Sequence, residues 1–164
     1  MSDVEDRYGG DYDDHLTEKG LQQAKELAES LRNENIQTIF SSPRFRAKET
    51  AEIVSAALGV PVELVDDLRE CNRYGVITGM VKAEAKEKYP EEVAKLNDYR
   101  TTLTGAEDYE QFKKRVIDAF EHIKMLDYST IAIVTHAGPI RCLAREVLGK
   151  GELGQIGDCR VMEL

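Results

Sequence analysis

The sequence predicts an α/β protein, a three-layer α/β/α arrangement around a mostly parallel sheet. Short β-branched runs alternate with longer segments whose apolar residues recur at helical spacing, the pattern of βα units. The run "TIAIVT" (130–135) is continuously apolar, as in parallel strands covered on both faces. The runs also end in polar, glycine- or proline-containing junctions that open into helices. A length of 164 residues suits a single domain spanning 1–164 and buries about 70% of the surface an unfolded chain exposes.

Each element has its own signature. Residues 1–15 are rich in Gly and Asp and read as a loop. Thr17 then caps a helix whose stripe is Leu21, Ala24, Leu27, Ala28 and Leu31. "NEN" breaks it, and "IQTIF" (36–40) follows as a strand. Ser42 and Pro43 are expected as the N-cap and first residue of the next helix. That helix buries Ala47, Ala51, Val54 and Leu58 and stops at Gly59. "VPVELV" is the second strand, and 66–81 is a loop long enough to be functional. "KAEAKEKY" and "PEEVAKLNDY" are two short helices divided at Pro90. Asp108 with Gln111 resembles a capping box, and the helix behind it buries Phe112, Val116, Ala119, Phe120 and Ile123. "TIAIVT" is the third strand, "HAG" turns into the helix "PIRCLAREVL", Gly149 stops it, and "GDCRVMEL" reads as a final strand.

Composition excludes several function classes. The net charge is −9, aromatics are 7% and Trp is absent, and no basic stripe with interleaved aromatics occurs, so nucleic acid is not the expected partner. An anionic ligand has to meet cations concentrated locally, against the global field. No run of eighteen apolar residues exists, so no membrane helix is expected. The acidic start is no signal peptide. Cys71, Cys142 and Cys159 have neither metal-ligand nor redox spacing and read as reduced thiols of a cytoplasmic protein.

Parallel strands place their carboxyl ends on one rim of the sheet, where ligands of α/β proteins sit. "IQTIF" ends in Ser41, Ser42, Arg44 and Arg46, "VPVELV" in "DDLRECNRYG", and "TIAIVT" in His136, Ala137 and Gly138. Arg46, Glu70 and His136 are therefore expected around one crevice, with Ser41 as a substrate contact beside them. Arginine offers a planar fork for phosphate oxygens. Histidine donates to a phosphoryl oxygen or attacks it, and a carboxylic acid protonates a departing oxygen. With no P-loop and no metal-ligand cluster in the sequence, the expected chemistry is phosphoryl transfer without a metal. His122, on the flank of its helix, reads as boundary packing, and His15 lies in the opening loop.

The motifs resemble those of the histidine phosphatase superfamily, the phosphoglycerate mutase-like group, along nearly the whole chain. "RYGGDYDDHLTEKG" is similar to the family's loop into its first helix, and "IFSSPRFRAKETA" to its arginine-bearing junction. "LRECNRYGVITG" resembles the glutamate loop, "TGAEDYEQFKKRV" the start of the penultimate helix, and "VTHAGPIR" the second-histidine segment. The resemblance implies that Arg46 binds the phosphate, Glu70 donates the proton, and His136 stabilises the transferring group. It implies Arg73 as a substrate contact, no cofactor, and a small phosphorylated metabolite as partner. His15 stands where the family often has proline and takes no role from it. The short chain has no room for the large insertions of glycolytic mutases, so a hydrolase is expected. Phosphoglycerate mutase is the alternative, because "NRYGVITG" resembles that branch.

One family element has no counterpart. The family begins with an interior strand ending in Arg-His-Gly, whose histidine is the nucleophile. Here the match starts just after it, and no Arg-His pair occurs in the chain. Two expectations follow: a start placed about ten residues too late, or a phosphate-binding pseudoenzyme. An interior strand carries four or five buried side chains at about 1.5–3 kcal/mol each. That sum, about 10 kcal/mol, rivals the stability of a whole domain, about 5–15 kcal/mol. A pseudoenzyme loses its histidine more cheaply than its strand, so truncation is the expected case. The uncovered edge of "TIAIVT" would favour a homodimer. In-frame codons upstream of the start are predicted to spell an apolar run ending in Arg-His-Gly; an in-frame stop codon there overturns this.

Overall fold

The computed structural model describes residues 6–98 and 101–163. The first residues of the opening loop, the end of "PEEVAKLNDY" and Leu164 lie outside them. In chain order the elements are α1 (Glu18–Ser30), β1 (Thr38–Ser41), α2 (Phe45–Leu58), β2 (Val62–Leu64), α3 (Lys82–Lys88), α4 (Pro90–Lys95), α5 (Tyr109–Lys124), β3 (Ile131–Val134) and α6 (Ala137–Glu146). Two 3₁₀ turns, Asp66–Leu68 and Gly75–Ile77, punctuate the loop after β2.

The three described strands form a parallel sheet in the order β2-β1-β3. Ile39 pairs with Val62 on one side and Ala132 on the other; Phe40 pairs with Glu63 and Ile133. Because strand side chains alternate, Ile39 and Phe40 point to opposite faces. Ile39 packs with Ala28 of α1 and Ala51 and Val54 of α2. Phe40 packs with Leu68 and with Ala119 and Ile123 of α5, and α6 joins that layer through Cys142 and Leu143 against Phe112, Val116 and Phe120. The result is the expected α/β/α sandwich with β1 at its centre. A satellite cluster of Ile77, Ala85 and Leu103, with Tyr74 and Leu96, packs α3 and α4 against the loop.

The capping chemistry follows from the sequence. Thr17 accepts from the Gly20 N–H, and Asp108 accepts from Glu110 and Gln111, satisfying amides that have no intrahelical partner. Gly59 closes α2 in the left-handed conformation, which glycine adopts without penalty.

Four expectations need correction. Ser42 does not cap α2: Arg44 occupies that position and the helix begins at Phe45. The Ser42 hydroxyl is instead bonded to His136. "HAG" is no separate turn, because α6 starts at Ala137. "TIAIVT" is not fully covered: Ile131–Val134 are all partly exposed, because β3 is an edge of the described sheet. "GDCRVMEL" forms no strand in residues 157–163; the chain turns at Asp158–Cys159, with Cys159 at a φ of 49°. Alternation alone does not make a strand without a ladder partner.

Among the described residues, no helix is long and apolar enough to cross a membrane. Phe40 is 1% exposed at the sheet centre. Phe40→Ala is predicted to cost about 3–5 kcal/mol, read as a lowered urea midpoint at unchanged slope.

Candidate active site

The carboxyl ends of β1 and β3 bring His136 and the β1–α2 junction together. His136 is the N-cap residue of α6, 7% exposed, and its Nε2 lies 2.8 Å from the Ser42 hydroxyl. That hydroxyl also accepts from the Arg44 N–H at 3.3 Å. Burial, reinforced by the positive charges of Arg46, Arg44 and Arg115, pushes the imidazole down to about 3. The ring is therefore neutral near pH 7.

Glu70 arrives from the loop after β2 and meets the first turn of α6. Its Oε2 accepts from the Gly138 N–H at 3.2 Å, and its Oε1 from the Cys71 N–H at 2.8 Å. Burial raises its pKa, opposed by those two amides and by the charges of Arg46 and Arg115. A side chain at position 138 is incompatible with this arrangement, since a Cβ there would collide with Glu70 Oε1. The glycine in "HAG" is thus where the carboxyl and the helix backbone touch.

Arg46 lies in the first turn of α2. Its Nη1 donates to the Tyr12 carbonyl at 2.8 Å and its Nη2 to the Gly10 carbonyl at 3.1 Å. Two of its five N–H groups are engaged, and its charge acts on both His136 and Glu70. The structure thus brings three sequence-predicted residues, Arg46, Glu70 and His136, to one rim. The other two are placed differently. Ser41 is buried with its hydroxyl donating to the Ser42 carbonyl at 3.0 Å, so Ser42 supplies the hydroxyl beside the imidazole. Arg73 is held at the end of α4, where Nη2 donates to the Leu96 carbonyl at 3.0 Å.

Sequence reasoning missed the support of Glu70. Arg115 of α5 donates through Nη1 to the carbonyls of Asp67 and Arg69, at 2.7 and 2.9 Å, and through Nη2 to that of Glu70 at 3.1 Å. The same guanidinium forks onto Glu107 at 2.6 and 2.8 Å. Asn72 ties the loop to the other side, donating to the Gly105 carbonyl and accepting from the Gly75 N–H, both at 3.1 Å. A signal was available: Arg115 stands three residues after Phe112 on the apolar stripe of α5. A charge there is buried and needs partners. A cleft of about 290 Å³ opens on this side, lined by Asp11, Arg69, Glu70, Asn72, Glu107 and Arg115 among others.

The other histidines stand apart. His15 is bonded to Glu49 and stacks on Phe45 with ring centroids 4.4 Å apart; its side chain is 68% exposed. His122 is exposed on α5. Burial pushes the Cys71 thiol, the one nearest Glu70 in sequence, up to about 12, which keeps it unreactive. Among the described residues, His, Cys, Asp and Glu form no group of three or more that could hold a metal ion.

A guanidinium, a neutral imidazole and a largely buried carboxyl thus share the rim of a parallel α/β sheet, groups that suit phosphoryl chemistry. The chain belongs to the histidine phosphatase superfamily, branch 1, whose sequence model matches residues 2–161. It is 32% identical over 146 residues to phosphoserine phosphatase 1 of Hydrogenobacter thermophilus, covering 87% of this chain and 69% of that protein. It is 30% identical over 156 residues to the metal-independent phosphoserine phosphatase of Arabidopsis thaliana, covering 92% and 65%. Among solved structures, Bacillus stearothermophilus YhfR superposes with a TM-score of 0.79 at 28% identity, covering 93% of this chain and 76% of that one. A mycobacterial glucosyl-3-phosphoglycerate phosphatase complexed with VO3 gives 0.79 at 25% identity, covering 96% and 82%.

A pH dependence follows from the buried imidazole. Its folded pKa is depressed, so its stability contribution is complete above the unfolded value of 6.5 and is lost as pH falls toward about 3. Glu70, with a raised pKa, acts oppositely, favouring the fold at lower pH and losing that contribution as pH rises through its folded value. His136→Asn is predicted to flatten the loss of stability between pH 6.5 and about 3, measured by urea unfolding at stepped pH. A slope identical to that of the unsubstituted protein contradicts the assignment.

Proposed function

We propose that this chain carries the phosphate-binding and proton-donating groups of a phosphoric monoester hydrolase of the histidine phosphatase type. The observation that carries the reading is the meeting of Glu70 with the Gly138 N–H, one residue from the N-terminus of α6 and two from His136. It brings a proton donor and an imidazole together from segments far apart in sequence, with Arg46 acting electrostatically on both.

Each group has a role its environment suits. Arg46 holds phosphoryl oxygens through the N–H groups that the Gly10 and Tyr12 carbonyls leave open. His136 donates to the transferring group; the arriving dianion raises the imidazole's proton affinity by supplying the negative charge the site lacks. Glu70, its pKa raised by burial, protonates the departing oxygen. Attack on phosphorus in this family belongs to the histidine of Arg-His-Gly, a motif absent from these 164 residues. The 164-residue chain therefore binds phosphate and leaves phosphomonoesters intact, whereas a chain carrying the motif hydrolyses them through a phosphohistidine without a metal. The relatives named above are phosphoserine phosphatases, one of them metal-independent, so O-phosphoserine is the first ester to test. The mycobacterial neighbour's complex with VO3 makes vanadate a suitable probe of the same rim.

The test measures vanadate binding and phosphate release on the 164-residue chain. Vanadate is predicted to bind, Arg46→Ala to weaken it at least tenfold, and O-phosphoserine hydrolysis to stay at background. Turnover that Arg46→Ala abolishes would overturn the account of the nucleophile, and His15→Ala then becomes the variant to examine.

A further inference from the structure

Arg44 precedes α2 by one residue and takes no role from the family resemblance. Its surroundings nonetheless make it part of the same rim. Its backbone N–H and the His136 ring share the Ser42 hydroxyl, at 3.3 and 2.8 Å. Its side chain is only 24% exposed and its charge is felt by His136. The guanidinium pairs with two carboxylates of the opening loop: Nη2 with Asp11 Oδ1, and Nη1 with Asp13 Oδ2 at 3.8 Å. The third nitrogen, Nε, is buried and makes no hydrogen bond among the described residues. A buried charged donor left unmatched is costly, and a ligand that accepts from it removes that cost.

The two carboxylates have different duties. Asp13 accepts from the Phe45 N–H at 2.8 Å and so serves the first turn of α2. Asp11 has no such backbone duty; it pairs with Arg44 and lines the cleft that also exposes Glu70. An acidic group on the chain itself thus sits on a rim guanidinium and lines the cleft.

We propose that Arg44 is a second anion-binding guanidinium of this site, and that Asp11 is a built-in carboxylate occupying it until phosphate displaces it. The inference rests on the reading of the rim as a phosphate site. Phosphate entering between Arg46 and His136 takes the place of Asp11 on Nη2 and accepts from Nε. The Asp11 side chain then swings off the cleft while the Gly10 and Tyr12 carbonyls stay on Arg46, and Glu70 faces the ester. Phosphate affinity is accordingly set by the difference between two charge-assisted contacts to one guanidinium, and Asp11 makes the site discriminate against weak anions.

The experiment is inorganic phosphate titration of the 164-residue chain by calorimetry at fixed ionic strength, with folding checked by thermal melts. Asp11→Asn is expected to tighten phosphate about fivefold and Arg44→Gln to weaken it about tenfold, the size of one charge-assisted hydrogen bond. In the double variant the gain from Asp11→Asn is expected to vanish. A gain that persists without Arg44, or no gain at all, overturns the inference. Arg46→Gln separates the two levels. If it abolishes binding while Asp11→Asn is neutral, the phosphate site stands and the displacement falls; if it leaves binding unchanged, the reading of the site itself falls. Should Asp11→Asn fail to fold, the unsubstituted protein decides: phosphate must shift the Arg44 Nε–H resonance in a ¹⁵N-labelled sample, and a resonance that stays put is the overturning result.

Discussion

The Glu70 loop holds its course because one buried guanidinium, that of Arg115, donates to three of its carbonyls while forking onto Glu107. Nothing periodic in the loop could do this. Residues 66–81 contain only two short 3₁₀ turns, so their backbone groups need partners from elsewhere. Arg115 is placed by the helical stripe of α5, stacked 5.0 Å from the Phe112 ring centroid, and its position is as rigid as that packing. The side chains of Arg115 and Glu107 are only 12% and 18% exposed, so their charges are largely withdrawn from water and the fork between them is weakly screened. The clamp thereby converts helix packing into the position of a carboxyl at the head of α6.

The same low-dielectric rim explains the electrostatics. Burial acts in opposite directions on an acid and a base, raising Glu70 and lowering His136. Both shifts favour uncharged forms, while Arg44, Arg46 and Arg115 supply the fixed positive charge. A protein of net charge −9 therefore gathers guanidinium charges around one carboxyl and one imidazole. The acidic opening loop meets those guanidinium groups directly, through the Gly10 and Tyr12 carbonyls on Arg46 and the Asp11 and Asp13 carboxylates on Arg44.

Much of this was legible before any coordinates. The buried face of α5 read as Phe112, Val116, Ala119, Phe120 and Ile123 is the buried face observed, since a 3.6-residue period leaves little choice about which side meets the sheet. The strand ends named Arg46, Glu70 and His136, because parallel strands send their carboxyl ends to one rim. What failed to read were contacts set by a partner far away in sequence. Ser42 looked like a cap, and only the approach of His136 reassigns its hydroxyl. "GDCRVMEL" alternates like a strand but has no ladder to join. "TIAIVT" looked covered on both faces, yet Ile131–Val134 are partly exposed; its open edge, by contrast, is the one expected.

Sequence periodicity and motif order by themselves determined the α/β/α layering, the caps at Thr17, Gly59 and Asp108, and the family, because these depend on spacing along the chain. The tertiary structure alone decided that Gly138 must lack a Cβ against Glu70, that Arg115 clamps the Glu70 loop, and that Asp11 sits on Arg44. Each of those is a contact between segments separated by tens of residues. Its geometry is set by how packed helices fix distances in space, which no local spacing encodes.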